Sequence, residues 1–576
     1  MRALAVASIA IVAVVLLASS VVVLTSGHNA QGSVLTMFGS EDELRGYLKD
    51  RCGPALDLIN GLAYSAESSR SGTNLQVRGV DEGDTIKTDG STLFIAEGGT
   101  VHVVAVAPSL HNLTDITVGA PDRHCIVIHC LYLLDGRLVV VYSQYEMVDG
   151  RYPALDSEMF ICCPWWSAQW TGVAVYDVHD PADPSMVLDG GISGGVVTTR
   201  MIGEVLYIVS EQMVWSGADL RLPEITSQGT TEKVEATAIG YDPSCTEISC
   251  FVNLLAYDTS SGQVGSFFAL AGPSSVVYMS GTALYLTMAR WSAGGWPLST
   301  SASRPTTEIY RIAMEGTELT MTAQGTVAGT VLGQFSLDEQ DGRLRVATTS
   351  SGPSSSVYLL DLDLDQVGEL NGIAPGETIY SCRFQGDRLY LVTFRQVDPL
   401  FVIDLSADRP RLMGELKMPG VSTYLQMVEH GLLGIGFENG SVKVSLYNIT
   451  DPENPSEIGS YVFSGISYSS AQYDHHAVLY DPRYDLLVMP VTRYDTLLDA
   501  WGYPTYRSSA VVLSIGEDGV TEVGEVVHHN STVERSLYIG DVLYTISDTT
   551  VKASALPSIS PLGELVYADG PRYWYC

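Results

Sequence analysis

The chain has 576 residues, 46% of them hydrophobic and 17% charged, which is ample apolar material for packed cores and too little charge for extended disorder. Acidic residues outnumber basic ones 66 to 31, and a net charge of −35 repels phosphate backbones, so nucleic acid is excluded as a partner class.

Taken in chain order, Met1 and Arg2 precede an apolar run over residues 3–24, interrupted only by Ser8, Ser19 and Ser20. That length spans a bilayer as a helix, so the run predicts an N-terminal membrane anchor over 1–27, with a cleaved signal segment as the alternative. Arg2 lies before the run and no Lys or Arg follows it until Arg45, which orients the remainder outside the cytoplasm. The expectation is a single-pass protein of the cell membrane with its main domain outside, or a secreted one if the segment is cleaved. N-x-S/T sequons at Asn112, Asn439, Asn448 and Asn530 fit an exported glycoprotein.

Residues 28–72 read as a linker and short helical stalk. Ser40 and Glu43 have the spacing of a capping box ahead of Leu44, Tyr47 and Leu48 at helical intervals, and a second short helix is expected over 55–65 after Pro54.

Residues 73–576 are strand and turn. A turn with Gly or Asp leads repeatedly into an apolar strand, as in residues 203–209 (GEVLYIV), 281–286 (GTALYL), 386–392 (GDRLYLV) and 540–546 (GDVLYTI). A second strand follows each, often ending in Asp, as in 173–177 (VAVYD) and 254–258 (LLAYD). Nine copies begin near Leu93, Leu138, Leu206, Leu284, Leu344, Leu389, Leu432, Leu486 and Leu543. Several lie about 45 residues apart, the size of one four-stranded blade. The predicted fold is all-β: one large β-propeller of eight or nine blades, behind a transmembrane helix and a short helical stalk. Longer gaps over 145–170, 215–250 and 289–307 hold insertions. The first carries Cys162, Cys163, Trp165, Trp166 and Trp170, an aromatic set suited to recognition of sugars, proteins or membrane surfaces. Cys245 with Cys250, and Cys125 with Cys130, have equal spacing and are disulfide candidates for an oxidising compartment, although nine cysteines leave at least one unpaired within the chain.

Several longer phrases carry a family resemblance. They are residues 73–90 (TNLQVRGVDEGDTIKTDG), 333–339 (GQFSLDE), 344–349 (LRVATT), 390–400 (YLVTFRQVDPL) and 474–477 (DHHA). In these the chain resembles the secreted archaeal and bacterial β-propeller proteins distantly related to WD-repeat proteins. The resemblance covers most of the chain from Thr73 onward and implies a membrane-anchored or secreted propeller, but no activity. Where it implies Asp-His-Lys-Ala, this chain reads Asp474-His475-His476-Ala477.

Four residue groups could carry chemistry. Asp81, Glu82 and Asp84 form an acidic knot, and calcium needs several such oxygens close together; the bland alternative is a polar turn closing the ring. In Asp474-His475-His476, histidine beside carboxylate suits metal binding or proton transfer, but a regular strand would point His475 and His476 to opposite faces. Arg200 and Arg383 each stand three residues before the recurring turn. With Arg535 they are expected near the central channel, offered to an anionic ligand or paired with the many acids. His124, Cys125, His129 and Cys130 have the residue types of a zinc or copper site, against a disulfide or buried thiols. Gly191 to Gly195 fits the nucleophile-elbow spelling without the strand-to-helix context it requires, and residues 361–365 lack the Gly and Glu of a calcium loop.

The chain thus reads as an extracytoplasmic binding module for a surface protein, peptide or glycan. A glycosidase-like hydrolase working at the channel mouth and a structural envelope component are its rivals. No motif specifies a reaction, and calcium is the cofactor the acidic knot would suit.

Overall fold

The computed structural model describes residues 35–49, 70–119, 124–146, 170–214, 220–243, 248–272, 275–290, 305–395, 398–498, 504–529 and 531–568. They form nine sheets, each built on a four-stranded antiparallel meander. The first blade runs from Ile86–Thr88 to His111–Thr117 and the second from His124–Leu134 to Ser185–Ser193. The third contains Gly195–Ile202, Val205–Met213, Cys250–Asp258 and Val264–Gly272. Blades four to seven run from Ser275–Met279 to Glu318–Ala328, Leu337–Gln340 to Gln366–Ile373, Thr378–Gln385 to Arg411–Met418, and Val421–Val428 to Ser456–Val462. The eighth spans Ser467–Tyr468 to Gly519–His528 and the ninth Val533–Ile539 to Ser560–Val566.

The recurring apolar phrase is the second strand of each blade, and its leucine is buried in all nine copies. Burying one such side chain contributes about 1.5–3 kcal/mol, which gives the repeat its physical meaning. Alternation puts successive side chains on opposite faces, so each blade feeds the cores on both of its sides. Nine apolar clusters each join two neighbouring blades. The last closes the ring: Leu537, Tyr544 and Ile546 of the ninth blade pack with Ile86, Leu93 and Ile95 of the first. Closure leaves no sheet face uncovered at an end of the repeat.

A second device locks the outer rim. In blades five to nine a glycine of the outermost strand sits just after a bulge: Gly368, Gly414, Gly459, Gly524 and Gly563. In blades five to eight the turn between the third and fourth strands of the next blade docks against it. A Cβ on Gly368 would lie 1.9 Å from the Asp408 carbonyl oxygen, and one on Gly414 would lie 2.4 Å from that of Pro452. At these two positions the glycine is thus set by backbone-to-backbone contact between blades rather than by its φ angle. On the ninth blade nothing lies within 4 Å of the Gly563 position.

Half of the predicted capping box forms, with the Glu43 side chain reaching one residue past the N-cap. Ser40 Oγ accepts from the Glu43 amide at 3.2 Å, opening the helix Glu41–Lys49, while Glu43 Oε2 accepts from the Gly39 amide at 2.7 Å. The helix does not stand apart as a stalk. Leu44 and Leu48 pack with Phe38, Tyr241 and Phe251, and the preceding strand Thr36–Met37 pairs with Ile239–Tyr241 on the third blade's sheet. The expected second helix over 55–65 and the Trp165–Trp166 insertion lie outside the described residues. The expectation of a transmembrane helix ahead of the propeller is corrected: no helix among the described residues is long and apolar enough to cross a membrane. The helix Glu41–Lys49 has 9 residues, and residues 1–34 lie outside those described.

One packing detail between blades eight and nine predicts pH dependence. The buried His528 imidazole meets Thr545 Oγ1 at 2.9 Å, and burial, helped by Lys552, pushes it down from 6.5 to about 4. The unfolded chain therefore binds a proton before the folded one does, and stability falls by about 3 kcal/mol as the pH drops through that window. Denaturant unfolding at a series of pH values should show a shallower fall over this range for His528→Gln; an identical fall would remove the assignment.

Candidate functional site

Segment 71–84 crosses the axis of the ring and touches blade after blade. Ser71 exchanges hydrogen bonds with the Tyr538 backbone of the ninth blade. Asn74 donates to the His475 carbonyl at 3.0 Å, and Gln76 donates to the Gln334 carbonyl at 3.0 Å. Asp81–Glu82 pairs as a short strand with Arg200–Met201 of the third blade, and Asp84 bridges to Leu131 of the second. Gly83 must be glycine: a Cβ there would meet Cys130 Sγ at 2.4 Å. The segment fills the hub that the sequence suggested as an open channel.

The acidic knot is split among separate cations. Asp81 pairs with Lys87 at 3.0 Å, Glu82 with Arg200 at 3.3 Å and Asp84 with Arg535 at 2.8 Å. Each of the three carboxylates is thus held by a different cation rather than gathered around one point.

The three arginines stand on the innermost strands of blades three, six and nine. Arg200 and Arg383 hold equal register, opposite Tyr207 and Tyr390. Arg200 also donates to Gln334 Oε1 at 2.6 Å, and Arg535 bridges Asp84 to Asp474, the latter at 2.6 Å. Among the described residues no carboxylate lies within ion-pair distance of Arg383, whose pKa burial lowers against the pull of Tyr424 and Asp338. Two of the three guanidinium groups are thus engaged inside the hub rather than offered to an outside anion.

The expectation that His475 and His476 face opposite ways is corrected. They lie in a single 3-10 turn, His475–Ala477, capped by Asp474 Oδ1 accepting from the His476 amide at 3.0 Å. In that turn both rings reach the same carboxylate: His475 Nε2 is 3.2 Å and His476 Nε2 is 3.7 Å from Glu82 Oε2, with ring centroids 3.5 Å apart. Burial pushes the Glu82 carboxyl up, but Arg200 and the two imidazoles outweigh it and hold it well below the usual carboxylate range. Burial and the neighbouring His476 push His475 down to about 4. For Asp474, Arg535 and the histidines overcome burial and lower it.

The cysteine candidates resolve unequally. Cys125 is disulfide-bonded, whereas Cys130 is a free buried thiol against Thr199 Oγ1 at 3.3 Å, so these two do not pair. His129 turns instead to Ser143 Oγ at 2.7 Å, which leaves no metal set with Cys130. Cys245, the proposed mate of Cys250, lies outside the described residues.

Next to the hub lies a surface the sequence did not single out. Tyr468, Tyr473, Tyr494 and Tyr506 of the eighth blade are each about half exposed, and Ile466 is 68% exposed. Tyr468 and Tyr473 stack at 6.2 Å, Tyr494 and Tyr506 are cross-strand partners, and the Tyr494 amide donates to the Ile466 carbonyl. Tyr468 faces Thr492 and so shares a sheet face with Tyr494. The nearby ions are already paired: Arg493 and Arg507 both hold Glu525. The available signal was tyrosine richness, 31 against 12 phenylalanines, concentrated on this blade.

Nine closed blades around a plugged, ion-paired hub define a β-propeller protein. The chain belongs to the Beta propeller domain family, whose model matches residues 70–559. It is 26% identical over 564 residues to an uncharacterised protein of Archaeoglobus fulgidus, covering 86% of this chain and 84% of that one. It is 27% identical over 575 residues to one of Methanocaldococcus jannaschii, covering 84% and 81%. Among solved structures it is similar to Saccharomyces cerevisiae Sqt1, at 10% identity and a TM-score of 0.36, covering 82% of this chain and 100% of that one.

Proposed function

We propose that this propeller is a binding module that takes a basic protein or peptide segment on the tyrosine surface of its eighth blade. The observation that carries the reading is the contiguous exposure of Ile466, Tyr468, Tyr473, Tyr494 and Tyr506 beside the hub. Tyrosine brings large area at little entropic cost and is enriched where partners dock. The surrounding charges neutralise one another, so the patch meets a partner chiefly through its ring faces, which suit an apolar or aromatic anchor. The net charge of −35 would speed the approach of a cationic partner and repel an anionic one. A working place outside the cytoplasm is part of the proposal, and the disulfide at Cys125 supports it.

The test is a displayed random-peptide library selected on the full chain, with Tyr468→Ala/Tyr473→Ala as the counter-target. Enriched peptides should be basic with an aromatic or apolar anchor and should bind the variant at least about tenfold more weakly, in line with hot-spot truncation. No enrichment, or equal binding to both proteins, would overturn the reading.

A further inference from the structure

Glu82, His475 and His476 each present a donor atom, and the three atoms lie within 4.8 Å of one another. Neither imidazole Nε2 meets good hydrogen-bond geometry, although both atoms are buried and the His475 side chain is only 3% exposed. Two buried imidazole nitrogens crowded 3.2 and 3.7 Å from one carboxylate oxygen, without good hydrogen-bond geometry to it, are a costly arrangement for a purely structural hub. We infer that Glu82, His475 and His476 form a site for a divalent transition-metal ion of the zinc class.

The spacing suits such an ion. Bonds of about 2.0–2.2 Å at tetrahedral angles place neighbouring donors about 3.3 Å apart, and the observed nitrogen-to-oxygen separations are 3.2 and 3.7 Å. Glu82 Oε1 accepts from the Gln76 amide at 2.8 Å, and Oε2 receives Arg200 on one side. A carboxylate oxygen has a second lone pair, so Oε2 can accept Arg200 and still ligate. Behind the donors, Asp474 Oδ1 lies 3.3 Å from His476 Nδ1, the carboxylate–histidine relay that orients metal-bound imidazole. Arg535 in turn fixes Asp474 from the ninth blade. Calcium is disfavoured because it needs six to eight oxygens, and this set has two nitrogens and one carboxylate. Three protein ligands leave a coordination position for water or a ligand group.

The probe is cobalt(II), added to the full chain after chelation and followed by visible absorption. Saturable, stoichiometric growth of a tetrahedral band is expected for the wild type and for the exposed-site control His179→Ala, and its loss is expected for His476→Ala. A wild type that gives no saturable band, or a His476→Ala variant that binds as tightly, would overturn the site. If His476→Ala does not fold, X-ray absorption of zinc-loaded wild type decides: a shell with two imidazoles and an oxygen ligand supports the site, and a shell without imidazole overturns it.

Discussion

Arg535→Met should lower the unfolding free energy by about 3–5 kcal/mol, because it strands two buried or half-buried carboxylates that share one guanidinium. Arg535 meets Asp84 at 2.8 Å and Asp474 at 2.6 Å, tying the axial segment to the lead-in of the eighth blade from a strand of the ninth. Burial acts to lower the Arg535 pKa, but those carboxylates overcome it and raise it. The measurement is denaturant unfolding at neutral pH in excess chelator, so that any bound metal does not contribute. Adding Asp84→Asn to Arg535→Met should cost less than the sum of the two single changes, since the second substitution removes a charge already left alone. A loss below about 1 kcal/mol would mean that water, not the arginine, balances these acids.

Gly368→Ala should cost about 3 kcal/mol, at the upper end of overpacking effects. The new Cβ would meet the Asp408 carbonyl oxygen at 1.9 Å and its carbon at 2.8 Å, and backbone cannot swing aside as a side chain can. Gly563 occupies the same place after the bulge of the ninth blade, with nothing within 4 Å, so Gly563→Ala should be neutral or slightly stabilising. Thermal and denaturant unfolding of the two variants gives the comparison. Equal effects at both positions would show that the docked turn is not what demands glycine.

The fold was legible because it rests on a repeated local cause. Leu93, Leu206, Leu389 and the other marked leucines announce themselves by alternation, and each proved to be a buried residue on a second strand. The outer-rim glycine was equally written in the chain, as an apolar residue followed by Gly and Glu at Gly368, Gly414, Gly524 and Gly563. It escaped notice because its meaning lies in the neighbouring blade rather than in its own strand.

The hub was half legible. Arg200, Arg535, Glu82, Asp84, Asp474 and His475 were all singled out, and the structure brings them to the axis. Which of them touch could not be read, because the pairings join residues up to 451 positions apart. The strand rule misplaced His476: the 3-10 turn set by the Asp474 cap turns both imidazoles to one side. The tyrosine surface was missed for another reason. Tyr468, Tyr473, Tyr494 and Tyr506 come from separate segments whose shared sheet face depends on the register of the eighth blade.

The most direct test of the binding proposal is isothermal titration of the strongest selected basic peptide into the full chain, at low and high salt, beside Tyr468→Ala/Tyr473→Ala. The account predicts saturable binding to the wild type that weakens with salt and is at least about tenfold weaker in the variant. Binding of equal strength to both proteins would place the contact elsewhere on the propeller and contradict the tyrosine surface as its site.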